Sequence, residues 1–445
     1  MQLAGELAAG RRSARQLTEE CLERIADPQG QGAATYIKVL ATQARAQADA
    51  IDRLRAAAVG LSPLAGIPVS VKDLFDIAGH VTTAGSRVLR SRPAASADAR
   101  VVSRLRAAGL IILGRTNMTE LAYSGLGLNP HYGTPLNPFD RATGRIPGGS
   151  SSGAAVSVTD AMAHGALGTD TGGSCRIPAA LCGIVGFKPT ARRVPRAGVM
   201  TLSSTLDSVG PLARTVGCCA LLDAVIAGEE VRVPDPCSLR ALRLLLPQSY
   251  VLEDLEPAVA QSFERALGAL SGAGAHIARA PLAELLRLPQ IHAKGGFSAA
   301  ESYAEYREIL DREPDAIDPR VAVRILKGRE QTAADYLELQ RARTAMQRSV
   351  RQLTAGFDAV VMPTAPIVAP PVDELADDTS YFRANALMLR NPAIANFLDG
   401  CAISLPIQQA GEAPVGLMLM GDQGQDRALL AIARAVESVV SPPAM

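Results

Sequence analysis

Two serines and one lysine have residue types and a spacing that point to a chemical reaction. Ser150 lies in the run Gly-Gly-Ser-Ser-Ser-Gly, and Ser174, 24 residues further on, ends the run Thr-Asp-Thr-Gly-Gly-Ser. Lys72 lies upstream, at the end of the apolar run Ile-Pro-Val-Ser-Val. A serine hydroxyl becomes an effective nucleophile only when an adjacent base takes its proton. The three residues therefore predict acyl transfer from an amide-like bond, with a lysine rather than a histidine or a metal as the activating group.

Lys72 can act as that base only if its surroundings lower its pKa. Desolvation or a nearby positive charge has this effect on a lysine, and the apolar run before Lys72 is typical of an internal strand. Arginine cannot replace it, because arginine stays protonated in proteins. Only five of the 45 basic residues are lysines, so each lysine position is informative. We interpret another of them, Lys188, as structural.

The two serine segments are expected to meet in space. Residues 153–163 contain helix formers and no proline, and a glycine that suits a helix C-terminus follows them. A helix of about 11 residues advances about 16 Å, and the strand expected over 166–170 returns about the same distance. Ser150 and Ser174 then lie side by side. The glycine-rich turn before Ser174 presents backbone N–H groups that can hold an oxyanion.

The surrounding pattern indicates an α/β fold made of four stretches. Residues 1–60 are predicted to form an N-terminal helical segment that packs on the core, with a capping box at Ser13. Residues 61–231 alternate short β-rich runs with helical ones, as a core α/β sheet does. Residues 232–356 begin with a β-α-β unit and continue as a variable, mainly helical cover, and 357–445 return to strands and a helix that complete the core. The predicted strands include 67–71, 110–113, 166–170, 242–246, 275–280, 357–362 and 415–420.

The composition excludes several classes of protein. With 48% hydrophobic residues among 445, the chain can bury a large core. No apolar stretch reaches the roughly 18 residues of a membrane span, and the N-terminus lacks the order of a secretory signal. A formal net charge of +1 without long charge runs gives no sign of nucleic-acid binding. Seven cysteines without a C-x-x-C pair are expected to be reduced thiols in a cytoplasmic protein, and the scattered histidines predict neither metal nor cofactor.

Six motifs carry a resemblance to a known family. They are Pro-Val-Ser-Val-Lys-Asp from Pro68, Gly-Arg-Thr-Asn-Met-Thr-Glu from Gly114, Pro-Gly-Gly-Ser-Ser-Ser-Gly from Pro147, Gly-Thr-Asp-Thr-Gly-Gly-Ser-Cys-Arg-Ile-Pro-Ala from Gly168, Gly-Phe-Lys-Pro-Thr from Gly186 and Asp-Ser-Val-Gly-Pro-Leu-Ala from Asp207. In these motifs the chain resembles the amidase signature family, the serine hydrolases and amidotransferase subunits that use a Ser-cisSer-Lys triad. The resemblance is close over 64–215 and implies a central mixed β-sheet covered on both faces by helices.

The resemblance also implies a role for each motif residue. Ser174 corresponds to the nucleophile, Ser150 to the serine that follows a cis peptide bond, and Lys72 to the base. Lys72, neutral at rest, takes a proton from Ser150, which takes one from Ser174. The oxyanion is expected on the N–H groups of Thr171, Gly172, Gly173 and Ser174. The expected supporting residues are Ser151, which hydrogen bonds to Lys72, and Asp170 and Arg176, which brace the loop.

Two rival nucleophiles are set aside. Ser151 is the centre of a G-x-S-x-G sequence, the nucleophile elbow of α/β-hydrolases. That elbow follows a hydrophobic strand, whereas residues 141–147 are polar and broken by glycine and proline. Cys175 follows Ser174 directly, yet the motif contains no histidine that would activate its thiol.

The substrate is predicted only as a class. One hypothesis is a free-standing amidase, a monomer or homodimer, that hydrolyses a small-molecule amide, anilide or carbamate, as aryl acylamidases and urethanases do. The alternative is the A-type subunit of a glutamine-dependent amidotransferase, which needs partner proteins and an RNA-linked acceptor. Amidotransferase subunits of this family usually have Gln where this chain has Ile177, which favours the free-standing enzyme. Substrate-binding residues are expected in 118–128, 196–206 and 282–356.

Overall fold

The computed structural model describes residues 2–440 and contains one 11-stranded sheet. The strands are β1 (Tyr36–Val39), β2 (Pro68–Lys72), β3 (Ile111–Thr116), β4 (Ala166–Asp170), β5 (Val185–Lys188), β6 (Ser208–Ala213), β7 (Arg243–Pro247), β8 (His276–Ala280), β9 (Ala359–Pro363), β10 (Cys401–Pro406) and β11 (Gly416–Gly421). The helices are α1 (Gln2–Ala8), α2 (Ala14–Ala26), α3 (Gly32–Thr35), α4 (Ala41–Ala56), α5 (Arg100–Ala107), α6 (Ser152–Thr159), α7 (Arg176–Cys182), α8 (Val216–Ala227), α9 (Pro257–Gly272), α10 (Leu288–Ile291), α11 (Gly296–Arg312), α12 (Pro319–Leu326), α13 (Ala333–Thr354), α14 (Asp378–Arg390), α15 (Pro392–Phe397) and α16 (Asp426–Val440). Short 3₁₀ helices cover Val88–Ser91, Glu120–Ala122, Leu239–Ala241, Ala283–Arg287, Pro314–Ala316, Lys327–Glu330 and Asp373–Leu375.

The sheet is mixed, as the resemblance implied. Its strand order is β1-β3-β2-β4-β6-β5-β10-β11-β9-β7-β8. Strands β3, β2 and β4 are parallel neighbours, as are β9, β7 and β8, and the other neighbouring pairs are antiparallel. Lys72 ends β2 and Asp170 ends β4, so both lie at the carboxyl edge of the first parallel group. Ligands of open α/β sheets bind at the carboxyl ends of the strands, at the point where the strand order reverses.

Helices cover both faces of the sheet. Because side chains alternate along a strand, Leu417 and Leu419 of β11 point to one face, where they share a hydrophobic cluster with Leu429 of α16. Met418 and Met420 point to the other face and cluster with side chains of α13 and α15. The predicted fold class is therefore confirmed. No helix within residues 2–440 combines the length and the apolar composition needed to cross a membrane.

The predicted strands agree with the observed ones to within a few residues, and the predicted β-α-β unit is present as β7, α9 and β8. The sheet draws on all four predicted stretches of the chain. The helical N-terminal stretch also supplies β1, and the stretch 232–356 supplies β7 and β8 at the far edge beside β9. Three strands that were not predicted, β5, β6 and β10, join the two parallel groups together with the predicted β11.

Helix α6 is shorter than the predicted range 153–163. It ends at Thr159, and Ala161 has left-handed backbone with a φ of 53°. The cap residue Asp160 pairs with Arg141 at 2.6 Å, which fixes the end of the helix. Strand β4 nevertheless occupies the predicted residues, so the chain returns to the sheet edge where the helix began.

Candidate active site

The predicted site residues come together at the carboxyl ends of β2 and β4. Ser150 lies just before α6, and its backbone carbonyl accepts a hydrogen bond from the Thr119 N–H at 3.1 Å. The peptide bond between Gly149 and Ser150 is cis, as the resemblance implied. A Cβ atom at position 149 would lie 2.6 Å from the backbone nitrogen of Gly127 and 2.8 Å from the Thr119 hydroxyl oxygen, so only glycine fits there.

Lys72 is fully buried and forms a direct contact with Ser150. Its Nζ donates to Ser150 Oγ at 2.8 Å and to Thr169 Oγ1, also at 2.8 Å. Burial lowers the pKa of Lys72 to about 8, although the nearby Cys175 and the acidic groups Asp170 and Asp207 act in the opposite direction. An amine with this pKa is partly neutral near pH 8, and a neutral amine can accept a proton.

Ser174 precedes α7 and is the most accessible of the three, with 4% of its surface exposed against 0% for Ser150 and Lys72. Its carbonyl accepts a hydrogen bond from the Ser151 N–H at 3.3 Å, which holds the two serine segments side by side. Within residues 2–440 the Ser174 hydroxyl has no hydrogen bond to Ser150. The structure thus joins Lys72 to Ser150, and the link from Ser150 to Ser174 belongs to the proposed mechanism.

Ser151 differs from its predicted role. Its hydroxyl donates to the Thr169 carbonyl at 3.3 Å and not to Lys72. The second acceptor of the lysine is instead the Thr169 hydroxyl, which the sequence analysis missed. Ser151 therefore contacts the end of the strand that carries Thr169, whose hydroxyl in turn contacts Lys72.

The predicted oxyanion turn is built around Gly173. Its φ is 128°, and a Cβ there would lie 2.5 Å from Pro392, so this position requires glycine. The Gly173 N–H donates to Asp170 Oδ1 at 2.8 Å and is committed to that carboxylate. This leaves the N–H groups of Thr171, Gly172 and Ser174 to serve the proposed oxyanion hole.

Asp170 and Arg176 form a buried ion pair that braces the turn. Arg176 Nη2 donates to Asp170 Oδ1 at 2.8 Å and Nε donates to Oδ2 at 3.1 Å, and both side chains are fully buried. Asn396 of α15 adds a hydrogen bond to the same Oδ1 at 3.0 Å. Burial by itself would raise the pKa of Asp170, but the Arg176 guanidinium outweighs it and holds this pKa at about 2.

We expect Arg176→Met to destabilise the fold by about 3–5 kcal/mol at neutral pH, because it leaves the Asp170 carboxylate buried without its partner. The free energy of unfolding in urea measures the effect. Adding Asp170→Asn removes the uncompensated charge, so the double variant should be more stable than the single one. A single variant within about 1 kcal/mol of the unmodified protein would show that the ion pair does not brace the turn.

The charge on Asp170 also sets a pH dependence of stability. Its folded pKa of about 2 lies below the ordinary value of 3.8. The carboxylate therefore contributes its full stability above the ordinary value, and this contribution is lost as the pH falls through about 2.

Cys175, which was set aside as a nucleophile, and Lys188, which was interpreted as structural, lie in the same region but contact other groups. Cys175 is fully buried, its thiol lies 3.6 Å from the Gly210 carbonyl, and burial raises its pKa well above the ordinary range. Lys188 is also fully buried and donates to the Pro189 carbonyl at 2.8 Å. Burial lowers the pKa of Lys188.

Apolar side chains surround the oxyanion turn. A Cβ at Gly125 would lie 3.3 Å from both Ile177 and Leu389, and one at Gly172 would lie 3.5 Å from Leu389. Gly125 belongs to the predicted segment 118–128, whereas Leu389 comes from α14. The contribution of α14 and α15 was not predicted, because no local motif links them to the serine segments.

Comparison with known proteins places the chain in a family. The amidase family model matches residues 16–430, and the chain therefore belongs to the amidase signature family. The chain is 30% identical to a protein whose crystal structure is described as an amidase, with a TM-score of 0.89 over 99% of both chains. It is 28% identical to the native peptide amidase from Stenotrophomonas maltophilia, with a TM-score of 0.84 over 100% of this chain and 97% of that one.

Three curated relatives show the range of reactions in the family. The chain is 36% identical to a 2-amino-5-chloromuconic acid deaminase of Comamonas testosteroni, over 89% of this chain and 87% of the relative. It is 37% identical to AtzE, the 1-carboxybiuret hydrolase component of Pseudomonas sp. (strain ADP), over 82% and 81%. It is 34% identical to the A-type subunit of the glutamyl-tRNA(Gln) amidotransferase of Chromohalobacter salexigens, over 97% and 94%. The protein is thus an amidase signature hydrolase, in a family that acts on carbon–nitrogen bonds.

Proposed function

We propose that this protein hydrolyses a non-peptide carbon–nitrogen bond of a small molecule through Ser174, Ser150 and Lys72. The observation that carries the proposal is the fully buried Lys72 amine, hydrogen bonded at 2.8 Å to the serine that follows the cis bond. A lysine with a pKa of about 8 is a competent base at working pH, and it contacts the residue that can pass the proton on.

The reaction proceeds through an acyl-enzyme. Ser174 Oγ attacks the carbonyl carbon, its proton passes to Ser150 Oγ, and the Ser150 proton passes to Lys72 Nζ. The oxyanion accepts hydrogen bonds from the N–H groups of the oxyanion turn. The carbon–nitrogen bond then breaks, and the leaving amine takes a proton through the same relay in reverse. Water attacks the acyl-enzyme by the same route and releases the acid and free Ser174.

The surroundings of the turn favour a small substrate with an apolar group. Leu389 lies beside Gly172 and Gly125, and Ile177 lies beside Gly125 and Gly173. Apolar linings of this kind bind hydrophobic or aryl groups. We assign the substrate to the amides, anilides and carbamates, the bonds that aryl acylamidases and urethanases cleave. The relatives named as a deaminase and as a component of a carboxybiuret hydrolase support a small molecule as the substrate.

The test is hydrolysis of a matched set by the purified chain alone: an anilide, a primary amide and an ester of one acyl group, together with an aryl carbamate. We expect turnover of at least one nitrogen compound, and the ranking of kcat/KM identifies the preferred bond. Gel filtration of the active sample shows whether the working unit is a monomer or a homodimer. Preference for a C-terminal peptide amide over the whole set would overturn the non-peptide assignment.

The alternative function is that of an amidotransferase A-type subunit. The 34% identity to the Chromohalobacter salexigens protein over 97% of this chain favours it. Ile177 argues against it, because its apolar side chain lies beside Gly173 where a glutamine side chain would offer hydrogen-bonding groups. Release of ammonia from glutamine only in the presence of partner proteins, with no turnover of the matched set, would support the amidotransferase.

A further inference from the structure

Asp207 is a buried carboxylate that the proposed mechanism does not use. It lies just before β6 and has 7% of its surface exposed. Its Oδ1 accepts a hydrogen bond from the Thr171 hydroxyl at 2.5 Å. Its Oδ2 accepts from the N–H groups of Leu202 at 3.0 Å and Ser203 at 3.1 Å. One carboxylate thus joins the oxyanion turn to residues 202–206, here called the 202–206 loop.

The outer side of the 202–206 loop is held by a second carboxylate. Glu301 of α11 accepts hydrogen bonds from the Ser203 hydroxyl, the Thr205 hydroxyl and, at 3.0 Å, the Thr205 N–H. Tyr336 of α13 donates to the same carboxylate at 2.7 Å. Glu301 contacts neither the oxyanion turn nor the lysine, so it offers a matched comparison for Asp207.

Several titratable or charged groups surround Asp207. They are Lys72 of β2, Arg196 of the preceding segment, Tyr306 of α11 and, across the 202–206 loop, Glu301. Burial raises the pKa of Asp207 to about 6, against the hydrogen bonds it accepts and the charge of Arg196. Its negative charge in turn raises the pKa of Lys72.

We propose, on the basis of the proposed acyl-transfer function, that Asp207 is a positioning residue whose ionised carboxylate holds Thr171 and the oxyanion turn in register with the 202–206 loop. The carboxylate accepts three hydrogen bonds at once, and two of them come from the loop backbone. Its loss frees the Thr171 hydroxyl and the loop together. A displacement of about 1 Å at such a site costs roughly 10²-fold in rate.

If acylation of Ser174 requires both ionised Asp207 and neutral Lys72, its rate has a distinctive pH profile. Acylation requires neutral Lys72, so its rate rises with pH through about 8. It also requires ionised Asp207, so its rate rises through about 6 as well. The logarithm of the rate therefore has a slope of one between these values and a slope of two below the lower one. Asp207→Asn should lower the rate by roughly 10²-fold near pH 8.

Asp207→Asn should also change the shape of the profile in two ways. The steep limb below about pH 6 should disappear, because asparagine does not titrate. The midpoint assigned to Lys72 should move to lower pH, because the negative charge that favours its protonated form is gone. A role confined to folding would give no steep limb in the unmodified protein, whereas the shift of the Lys72 midpoint follows from the lost charge alone.

The experiment measures covalent labelling of Ser174 by a fluorophosphonate as a function of pH, so no substrate needs to be known. The reaction forms a bond between Ser174 Oγ and phosphorus and expels fluoride, while the serine proton passes to Ser150 and that of Ser150 to Lys72. Glu301→Gln is the control and should keep both limbs. A steep limb that is missing from the unmodified protein, or one that persists in Asp207→Asn, would overturn the inference.

Two further variants separate the possible failures. Thr171→Val removes the hydroxyl that Asp207 holds and keeps the carboxylate, so it should slow labelling but leave the Lys72 midpoint unchanged. If Asp207→Asn does not fold, Thr171→Val takes its place in the experiment. In that case, labelling of Thr171→Val as fast as labelling of the unmodified protein would overturn the inference. Labelling that persists in Ser174→Ala, or that is absent from the unmodified chain, would overturn the proposed function itself.

Discussion

Replacing Ser174 by alanine is expected to lower kcat/KM by at least about 10⁴-fold on the best substrate of the matched set. The loss follows because the other hydroxyl of the turn, that of Thr171, is committed to Asp207 and cannot replace the nucleophile. The variant should fold normally, since Ser174 contributes its backbone carbonyl, and not its hydroxyl, to the contact with Ser151. Steady-state kinetics and the unfolding midpoint of the same preparation check both statements.

Variants of two residues near Ser174 test whether the loss of activity is specific to the Ser174 hydroxyl. Ser151→Ala removes a hydroxyl that is fully buried and donates to the Thr169 carbonyl, so it should lower the rate far less than Ser174→Ala. Cys175→Ala removes a thiol with a raised pKa and should likewise leave the nucleophile in place. If Ser151→Ala instead abolished acylation while Ser174→Ala kept it, the nucleophile elbow set aside in the sequence analysis would be correct.

The sequence predicted those parts of the site that come from segments adjacent in the chain. The return from α6 along β4 depends on helix length, strand length and glycine positions, all of which are local. Ser150 and Ser174 could therefore be placed side by side, and the resemblance added that Asp170 and Arg176, six residues apart, brace the same loop. Thr169 was missed even so, because a single threonine in a strand gives no signal of its own.

The long-range contributions could not be predicted for a physical reason. Asn396 reaches Asp170 across 226 residues of sequence, and Leu389 reaches the oxyanion turn from α14. Such contacts depend on which helices the sheet carries on each face. Strand β10, which follows α15 in the chain, was also missed.

Strand β10 has no alternation of polar and apolar residues, because all six of its residues are buried. A strand covered on both faces gives a short apolar run that local patterns do not distinguish from other buried segments. Its one polar hydroxyl, Ser404, pairs with Thr364 at 2.7 Å and so is accommodated in the core.

Replacing Lys72 by arginine is expected to lower kcat/KM by about 10⁴-fold or more at every accessible pH, because arginine cannot lose its proton to become a base. Lys72→Met should cause a similar loss through the missing acceptor. In the unmodified protein, kcat/KM should rise with pH through about 8, since the depressed pKa of the buried amine marks the point where half of it is neutral. The pH profile of kcat/KM measures this midpoint.

Lys188 provides the matched control, because it is the same residue type, is equally buried and also has a lowered pKa. Its amine donates to the Pro189 carbonyl and contacts neither serine, so Lys188→Met should keep the midpoint near pH 8 even if it lowers stability. The comparison separates a lysine that accepts a proton from one that only fills the core. The proposed mechanism would be wrong if kcat/KM of Lys72→Arg stayed within about tenfold of that of the unmodified protein. It would also be wrong if Lys188→Met shifted the midpoint of the pH profile, because the titrating group would then not be Lys72.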